Sequence, residues 1–178
     1  MKTKTYFFII FLAAASATAY AQHPLKYDTF NTLQQYEGEW MNVSGADTIR
    51  IYLKPVRTYS QRYNTIRDLL WGWVEYKQGN NIVMSNYANR FLPTSDSWSY
   101  MNSITNFSLS KYICNSQKLD GLFSDLNHHR GLINWVVEVT LSANDITMDV
   151  WQQRTPYYNF NLGDTAITLP QRFTLIKQ

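Results

Sequence analysis

The chain has 178 residues, of which 45% are hydrophobic and 16% are charged, with 7 glycines and 5 prolines. This balance excludes a charge-driven disordered chain, a collagen-like repeat and low-complexity sequence, and the length predicts one domain that can enclose a core. Lysine and arginine number 16 against 13 acidic residues without a cluster that would follow a phosphate backbone, so nucleic-acid binding lacks an electrostatic basis.

The first predicted element is a secretory signal peptide over residues 1–21. Two lysines precede an apolar stretch over residues 6–15, which is shorter than the roughly 20 residues needed to cross a bilayer. Ala19 and Ala21 match the small-residue pattern that signal peptidase accepts, so cleavage is expected before Gln22. Loss of the two lysines lowers the basic residues from 16 to 14 against 13 acids. We therefore expect a nearly neutral, monomeric protein in the periplasm or outside the cell, without a membrane anchor.

The mature chain begins with a predicted helix and two strands. Residues 28–36 have a capping Asp or Thr and apolar residues at three-residue spacing, which predicts a short N-terminal helix. Residues 37–44 and 48–54 are typical of strands and are joined by a Gly-Ala-Asp turn. The second run alternates polar and apolar residues throughout, so its apolar members are predicted to face inward: Ile49, Ile51 and Leu53.

Two hairpins are predicted further along the chain. Residues 68–77 and 81–87 flank Gln-Gly-Asn, a loop of hairpin length with a glycine that can take a positive φ. Residues 131–141 and 146–153 form the second hairpin around a Ser-Ala-Asn-Asp loop. Alternation places one set of apolar side chains on a single face of its first strand: Ile133, Trp135, Val137, Val139 and Leu141. The charged residues of the strands are predicted to face solvent: Arg50, Glu75, Glu138 and Arg154.

The remaining strands lead to a fold class. Residues 118–124, where Gly121 marks a bulge or bend, and residues 171–177 are both typical of strands. About eight consecutive antiparallel strands, with an aromatic content of 16%, favour an all-β, up-and-down, eight-stranded barrel. Residues 57–67 and 92–111 lack a firm period and are expected to form loops, lids or an irregular strand.

One tripeptide and the last strand carry a family resemblance. Gly38-Glu39-Trp40 follows the predicted helix and opens the first strand, an order that resembles the Gly-x-Trp signature of lipocalins and their calycin relatives. The resemblance implies that Arg172 packs across Trp40 and closes the base of the barrel, a contact worth about 0.5–2 kcal/mol. The mature chain is also similar to small exported bacterial domains of unknown function, through this tripeptide, Gly72 and the runs at residues 47–51 and 169–175.

The resemblance implies that a small hydrophobic molecule binds inside the barrel, and we expect it to enter at the open end away from Trp40 and Arg172. An eight-stranded barrel can fill its interior with side chains or keep a cavity for one small ligand, and both possibilities stay open. If a cavity exists, its lining is predicted to be rich in polarizable side chains: Trp71, Trp73, Met84, Trp135, Met148 and Trp151. These residues could equally be core. The alternative function is then a filled barrel that acts as a protein-interaction or inhibitor module through residues 57–67 and 92–112.

Enzyme chemistry has little support in the sequence. It contains no Gly-x-Ser-x-Gly elbow, no phosphate-binding glycine loop and no His-Glu-x-x-His motif. His128 and His129 are adjacent and are expected in an exposed loop, since neighbouring strand residues point in opposite directions and cannot easily converge on one metal ion. The single cysteine, Cys114, permits no intramolecular disulfide and is expected to be half-buried in a strand. We therefore expect no catalysis, metal or cofactor.

Overall fold

The computed structural model describes residues 25–26, 31–60, 64–92, 106–110, 117–125, 127, 134–156 and 168–178, with the backbone alone at 25–26, 60, 134–135 and 153–156. The predicted signal peptide lies outside these residues. Ten strands are present in this part: β1 (Leu25–Lys26), β2 (Gly38–Ser44), β3 (Asp47–Ser60), β4 (Thr65–Gln78), β5 (Asn81–Ser85), β6 (Phe107–Ser110), β7 (Lys118–Ser124), β8 (Asn134–Leu141), β9 (Thr147–Pro156) and β10 (Arg172–Lys177).

Eight of these strands close into an antiparallel barrel. The order around the ring is β4-β3-β2-β10-β9-β8-β7-β6, and β6 pairs with β4 to complete it. Neighbours in the ring follow one another in the chain, with two exceptions: β4 is followed in the ring by β6 instead of β5, and β10 pairs with β2. The predicted all-β, up-and-down, eight-stranded barrel is therefore confirmed. Closure leaves no free edge in the ring, which removes a route to aggregation.

The strand that completes the ring differs from the predicted one. β5, within the predicted strand 81–87, pairs only with the end of β4, whereas β6 pairs with β4 at Leu70–Gly72. In the gap between β5 and β6, the backbone N–H of Val74 donates to Oδ1 of Asn86 and Oδ1 of Asn106, each at 3.0 Å. Both asparagines are buried, so their amides replace the missing ladder bonds.

The predicted N-terminal helix is not present as a regular helix. Residues 28–30 lie outside the described residues, and Thr32–Tyr36 forms a five-residue 3₁₀ helix, as does Tyr87–Phe91 later in the chain. No helix reaches seven residues in the part of the chain described. The spacing explains the difference, because a three-residue turn brings Leu33 and Tyr36 to one side, and both are buried against the barrel.

A long hairpin includes residues that were expected to form a loop, a lid or an irregular strand. β3 and β4 have 14 residues each, and their pairing continues to Ser60 and Thr65. Pairing of β3 with β2 ends at Leu53, so Lys54–Ser60 and Thr65–Trp71 extend beyond β2 as a hairpin arm. The β4 side of this arm also pairs with β1 at Ile66 and Arg67 and with β6 at Leu70 and Trp71. Within the arm, the Arg57 guanidinium binds both carboxylate oxygens of Asp68, at 2.9 and 3.2 Å. Most of residues 57–67 are therefore strand, which is one of the alternatives that the sequence left open.

Candidate functional site

The interior of the barrel is occupied by one contiguous hydrophobic cluster. Alternate residues of each strand point inward, and among them are the three predicted for β3 and three of the five predicted for β8, each at most 2% exposed: Ile49, Ile51, Leu53, Val137, Val139 and Leu141. Ile133 lies outside the described residues. Phe107 and Phe123 meet across β6 and β7 with ring centroids 4.8 Å apart. Packing is close at Gly72, where an added Cβ would lie 2.7 Å from Leu53 Cδ2 and 2.9 Å from Phe107 Cβ.

The predicted cavity residues divide between the two faces of the barrel wall. Met84 and Met148 belong to the interior cluster, 3% and 1% exposed. Trp71 and Trp73 do not line the interior, in contrast to the prediction. They alternate with the inward residues of β4 and form a separate buried cluster on the outer face with Val56, Leu69 and the half-buried Tyr52. The side chain of Trp135 lies outside the described residues.

The predicted contact between Trp40 and Arg172 is replaced by another pair. Lys177 is the register partner of Trp40, and its Nζ lies 5.3 Å from the Trp40 ring centroid. Arg172 is five residues earlier, about 17 Å along the strand, and has the opposite parity, which places it on the outer face. Its guanidinium lies 5.2 Å from the ring centroid of Trp151. The last strand therefore supplies the cation at the barrel base, but at a different position.

Hydrogen bonds join the N-terminal 3₁₀ helix to this base. Trp40 Nε1 donates to the carbonyl of Tyr36 at 2.8 Å, and Lys177 Nζ donates to the carbonyl of Gln35 at 3.0 Å. The Tyr36 hydroxyl donates to the carbonyl of Gln117, which precedes β7. Burial raises the pKa of Tyr36 to about 12, because the phenolate would lose its water. The helix is thus tied to the beginning and the end of the barrel, with Gly38 opening β2 at a φ of 118°.

At the opposite end of the barrel, hydrogen bonds join the residue after β7 to the segment before β10. Asp125 follows β7 and is fully buried, and its carboxylate accepts hydrogen bonds from the backbone N–H and the hydroxyl of Thr168, at 2.7 and 3.0 Å. Asn127 donates to the carbonyl of Val83 at 3.0 Å, which ties the same loop to β5. Leu169 is 2% exposed within the interior cluster. This is the end at which an open ligand entrance was expected.

A cluster of charged side chains on the outer face of β2, β3 and β4 contacts the second 3₁₀ helix. Arg50 binds Glu39 at 2.6 Å and lies 3.7 Å from Glu75, and its guanidinium is 4.8 Å from the ring centroid of Tyr87. Arg90 covers the same ring at 3.9 Å. The hydrogen bond from Arg50 lowers the pKa of Glu39, and burial raises the pKa of Tyr87 to about 12. Because these charges pair with one another, we interpret the cluster as a contact that holds the helix against the sheet and not as a ligand site.

A groove of about 490 Å³ lies on the outer face of β8, β9 and β10. Two rows of paired residues form its floor, and each row crosses all three strands. The first row is Glu138, Trp151 and Arg172, and the second is Thr140, Asp149 and Thr174. The Thr174 hydroxyl donates to Asp149 Oδ1 at 2.6 Å, and Lys118 Nζ from β7 binds Glu138 Oε2 at 2.6 Å. Trp151, predicted in the cavity, therefore lines an external groove.

Other predicted positions contribute nothing to these surfaces. Cys114, His128 and His129 lie outside the described residues. Among the residues described, no group of three or more His, Cys, Asp or Glu side chains is placed to hold a metal ion. The helices in the same part of the chain are all too short to cross a membrane. Arg50 and Glu138 lie on the outer face and are partly exposed, as predicted. Glu75 lies on the same face but its side chain is only 14% exposed, so it does not face solvent as predicted. The Arg154 side chain is outside the described residues.

The fold defines the class of protein, a closed antiparallel barrel of eight strands whose interior is packed with apolar side chains. The chain belongs to a family of unknown function, DUF6705, whose model matches residues 1–178. No curated protein matches the chain. No solved structure matches it either.

Proposed function

We propose that the chain is an exported, lipocalin-like protein with a filled barrel, which acts as a binding module through its outer surface and carries out no catalysis. Of the two functions that the sequence left open, this is the one favoured by the interior. The supporting observation is the single apolar cluster in the interior, which includes Leu33 and Tyr36 at one end of the barrel and Leu169 at the other. Eight strands give a barrel just wide enough for side chains to fill, so a filled interior needs no unusual geometry.

Close packing argues against a resident hydrophobic ligand. Gly72 lies where an interior methyl group would approach Leu53 and Phe107 within 2.9 Å or less, which is too short for carbon atoms in van der Waals contact. Drug-sized ligands occupy pockets of roughly 300–1,000 Å³, and a void of that size would expose its lining. Met84 and Met148, which are the predicted lining residues inside the barrel among the side chains described, are instead nearly inaccessible.

The outer surface offers features that a partner could use. The hairpin arm extends beyond β2 and carries a pocket of about 220 Å³ lined by Asn31, Leu33, Gln34, Pro55, Val56, Arg57 and Asp68. The bidentate pair of Arg57 and Asp68 holds its floor in one geometry. Exposed apolar side chains lie elsewhere on the surface, where Phe91, the last residue of the second 3₁₀ helix, is 78% exposed and the following Leu92 is 40% exposed. A protein partner at these sites fits the proposed module.

Native mass spectrometry of the protein purified from its own host tests this function. We expect the mass of a chain that begins at Gln22, with no retained small molecule. In a matched titration, the hydrophobic dye N-phenyl-1-naphthylamine should give no saturable signal. A retained lipid or pigment would overturn the proposal. So would saturable dye binding that Met148→Phe weakens and the outer-face variant Trp151→Ala leaves unchanged, because that pattern identifies an interior site.

A further inference from the structure

We propose that the groove over β8, β9 and β10 binds an uncharged saccharide. The inference rests on the proposed function, since it assigns a ligand class to one part of the outer surface. Its volume of about 490 Å³ lies within the range of small-ligand sites. Thr140, Asp149, Arg172 and Thr174 are exposed, so the groove is open along its length and an extended ligand can enter from the side.

The aromatic part of the groove is the Trp151 ring at the centre of the first row. An indole face carries negative charge density and attracts groups with a positive edge. The positively charged guanidinium of Arg172 lies over this ring, 5.2 Å from its centroid, in a cation–π contact. The C–H bonds on one face of a pyranose ring present the same kind of weakly positive, flat surface. Trp151 can therefore form the stacking platform, with the exposed Arg172 moving aside or donating to a sugar hydroxyl.

The polar part of the groove matches hydroxyl groups, which both donate and accept hydrogen bonds. Asp149 accepts one bond from Thr174 and has further lone pairs available, and the threonine hydroxyls can donate or accept. The ion pair with Lys118 holds the Glu138 carboxylate at the other edge. Acceptors and donors thus surround the ring, on both sides of Trp151 and at fixed strand spacing.

The charge of the groove selects among ligand classes. Glu138 and Asp149 carry two negative charges, and Arg172 together with Lys118 carries two positive charges, so the formal charges cancel. A phosphorylated or polyanionic ligand would meet the two carboxylates, and a polycation would meet the guanidinium and the ammonium group. Hydrogen bonding and stacking remain as the sources of affinity, which favours an uncharged polyhydroxyl ligand.

Titration calorimetry of the mature protein tests the site with cellohexaose, maltohexaose and N-acetylchitohexaose as uncharged probes. Hexagalacturonate and hexaglucosamine serve as the charged comparisons. We expect saturable binding of at least one uncharged probe and weaker binding of the charged ones. Trp151→Ala should lower the affinity about tenfold or more, as truncation of a central aromatic anchor does. Trp151→Phe should give an intermediate value, since it keeps a smaller ring.

Two further variants make the test decisive. Ile176→Ala changes an exposed residue of β10 outside the groove lining and should leave binding unchanged. Asp149→Ala removes a hydrogen-bond acceptor without altering Trp151 and should also weaken saccharide binding. This variant tests the groove even if Trp151→Ala fails to fold. Binding of charged probes alone, no binding of any uncharged probe, or equal binding by the wild type and both groove variants would overturn the inference. Those outcomes leave the dye and mass measurements, and hence the filled barrel, unaffected.

Discussion

Leu175→Ala should strongly destabilise a barrel whose interior is filled. Leu175 lies on β10, is 0% exposed and belongs to the interior cluster. The change removes three carbons, whose transfer from water is worth about 2.4 kcal/mol at about 0.8 kcal/mol for each methylene. The unfilled space left in a packed core adds to that cost, so we expect a loss of about 3–5 kcal/mol in the free energy of unfolding.

The neighbouring residue provides a matched control. Ile176 lies on the same strand but points to the outer face and is 52% exposed, so Ile176→Ala should cost less than about 1 kcal/mol. Urea unfolding followed by far-UV circular dichroism measures both changes as shifts of the midpoint at constant m-value. A loss of no more than the transfer value of about 2.4 kcal/mol for Leu175→Ala would contradict the reasoning, because truncation beside an existing cavity creates little new unfilled space and leaves only the transfer cost.

Three other comparisons probe the same structure. Gly121→Ala places a Cβ 2.0 Å from a backbone oxygen of β6 and should cost about 3 kcal/mol or abolish folding. Gly79→Ala meets open space and should cost about 1–2 kcal/mol, because Gly79 has a positive φ. Thermal unfolding ranks the two variants, and equal costs would disprove the clash at Gly121. In urea unfolding, Lys177→Met should cost about 0.5–2 kcal/mol, because it removes the cation beside Trp40, and Arg172→Met should cost less than about 0.5 kcal/mol. The reverse order would indicate that Arg172 is the cation at the barrel base. The hydrogen bond from Arg50 lowers the pKa of Glu39 from 4.5, so the Glu39 carboxylate stabilises the fold above that pH, and the effect is lost as the pH falls through the lowered pKa. Glu39→Gln should therefore cost at most about 1 kcal/mol of unfolding free energy at neutral pH and nothing in acid. An equal loss at both pH values would refute the ion pair.

The sequence was most informative where one face of a strand is apolar and the other polar. Residues 118–124 coincide with β7, and the inward residues of β3 follow from alternation alone. β6 has only four residues, which is too short for a period to be recognised. In β4, side chains are buried on both faces, so alternation could not separate the outward Trp71 and Trp73 from the inward residues between them.

The remaining differences depend on register and on contacts far apart in sequence. The choice between Lys177 and Arg172 at the base is made by the pairing of β10 with β2, which a family motif does not specify. The bonds between Asp125 and Thr168 join residues 43 positions apart, and no local pattern indicates them. The external groove likewise arises from the side-by-side placement of three strands, although the polar residues of its two rows are ordinary outward-facing residues in each strand.

The electron density inside the barrel tests the central claim most directly. A high-resolution crystal structure of the protein purified from its own host should show the interior side chains in contact, with no continuous void above about 300 Å³ between Trp40 and Leu169. A continuous cavity of that size, or density for a bound hydrophobic molecule among the inward residues, would contradict the account and restore the interior as the binding site.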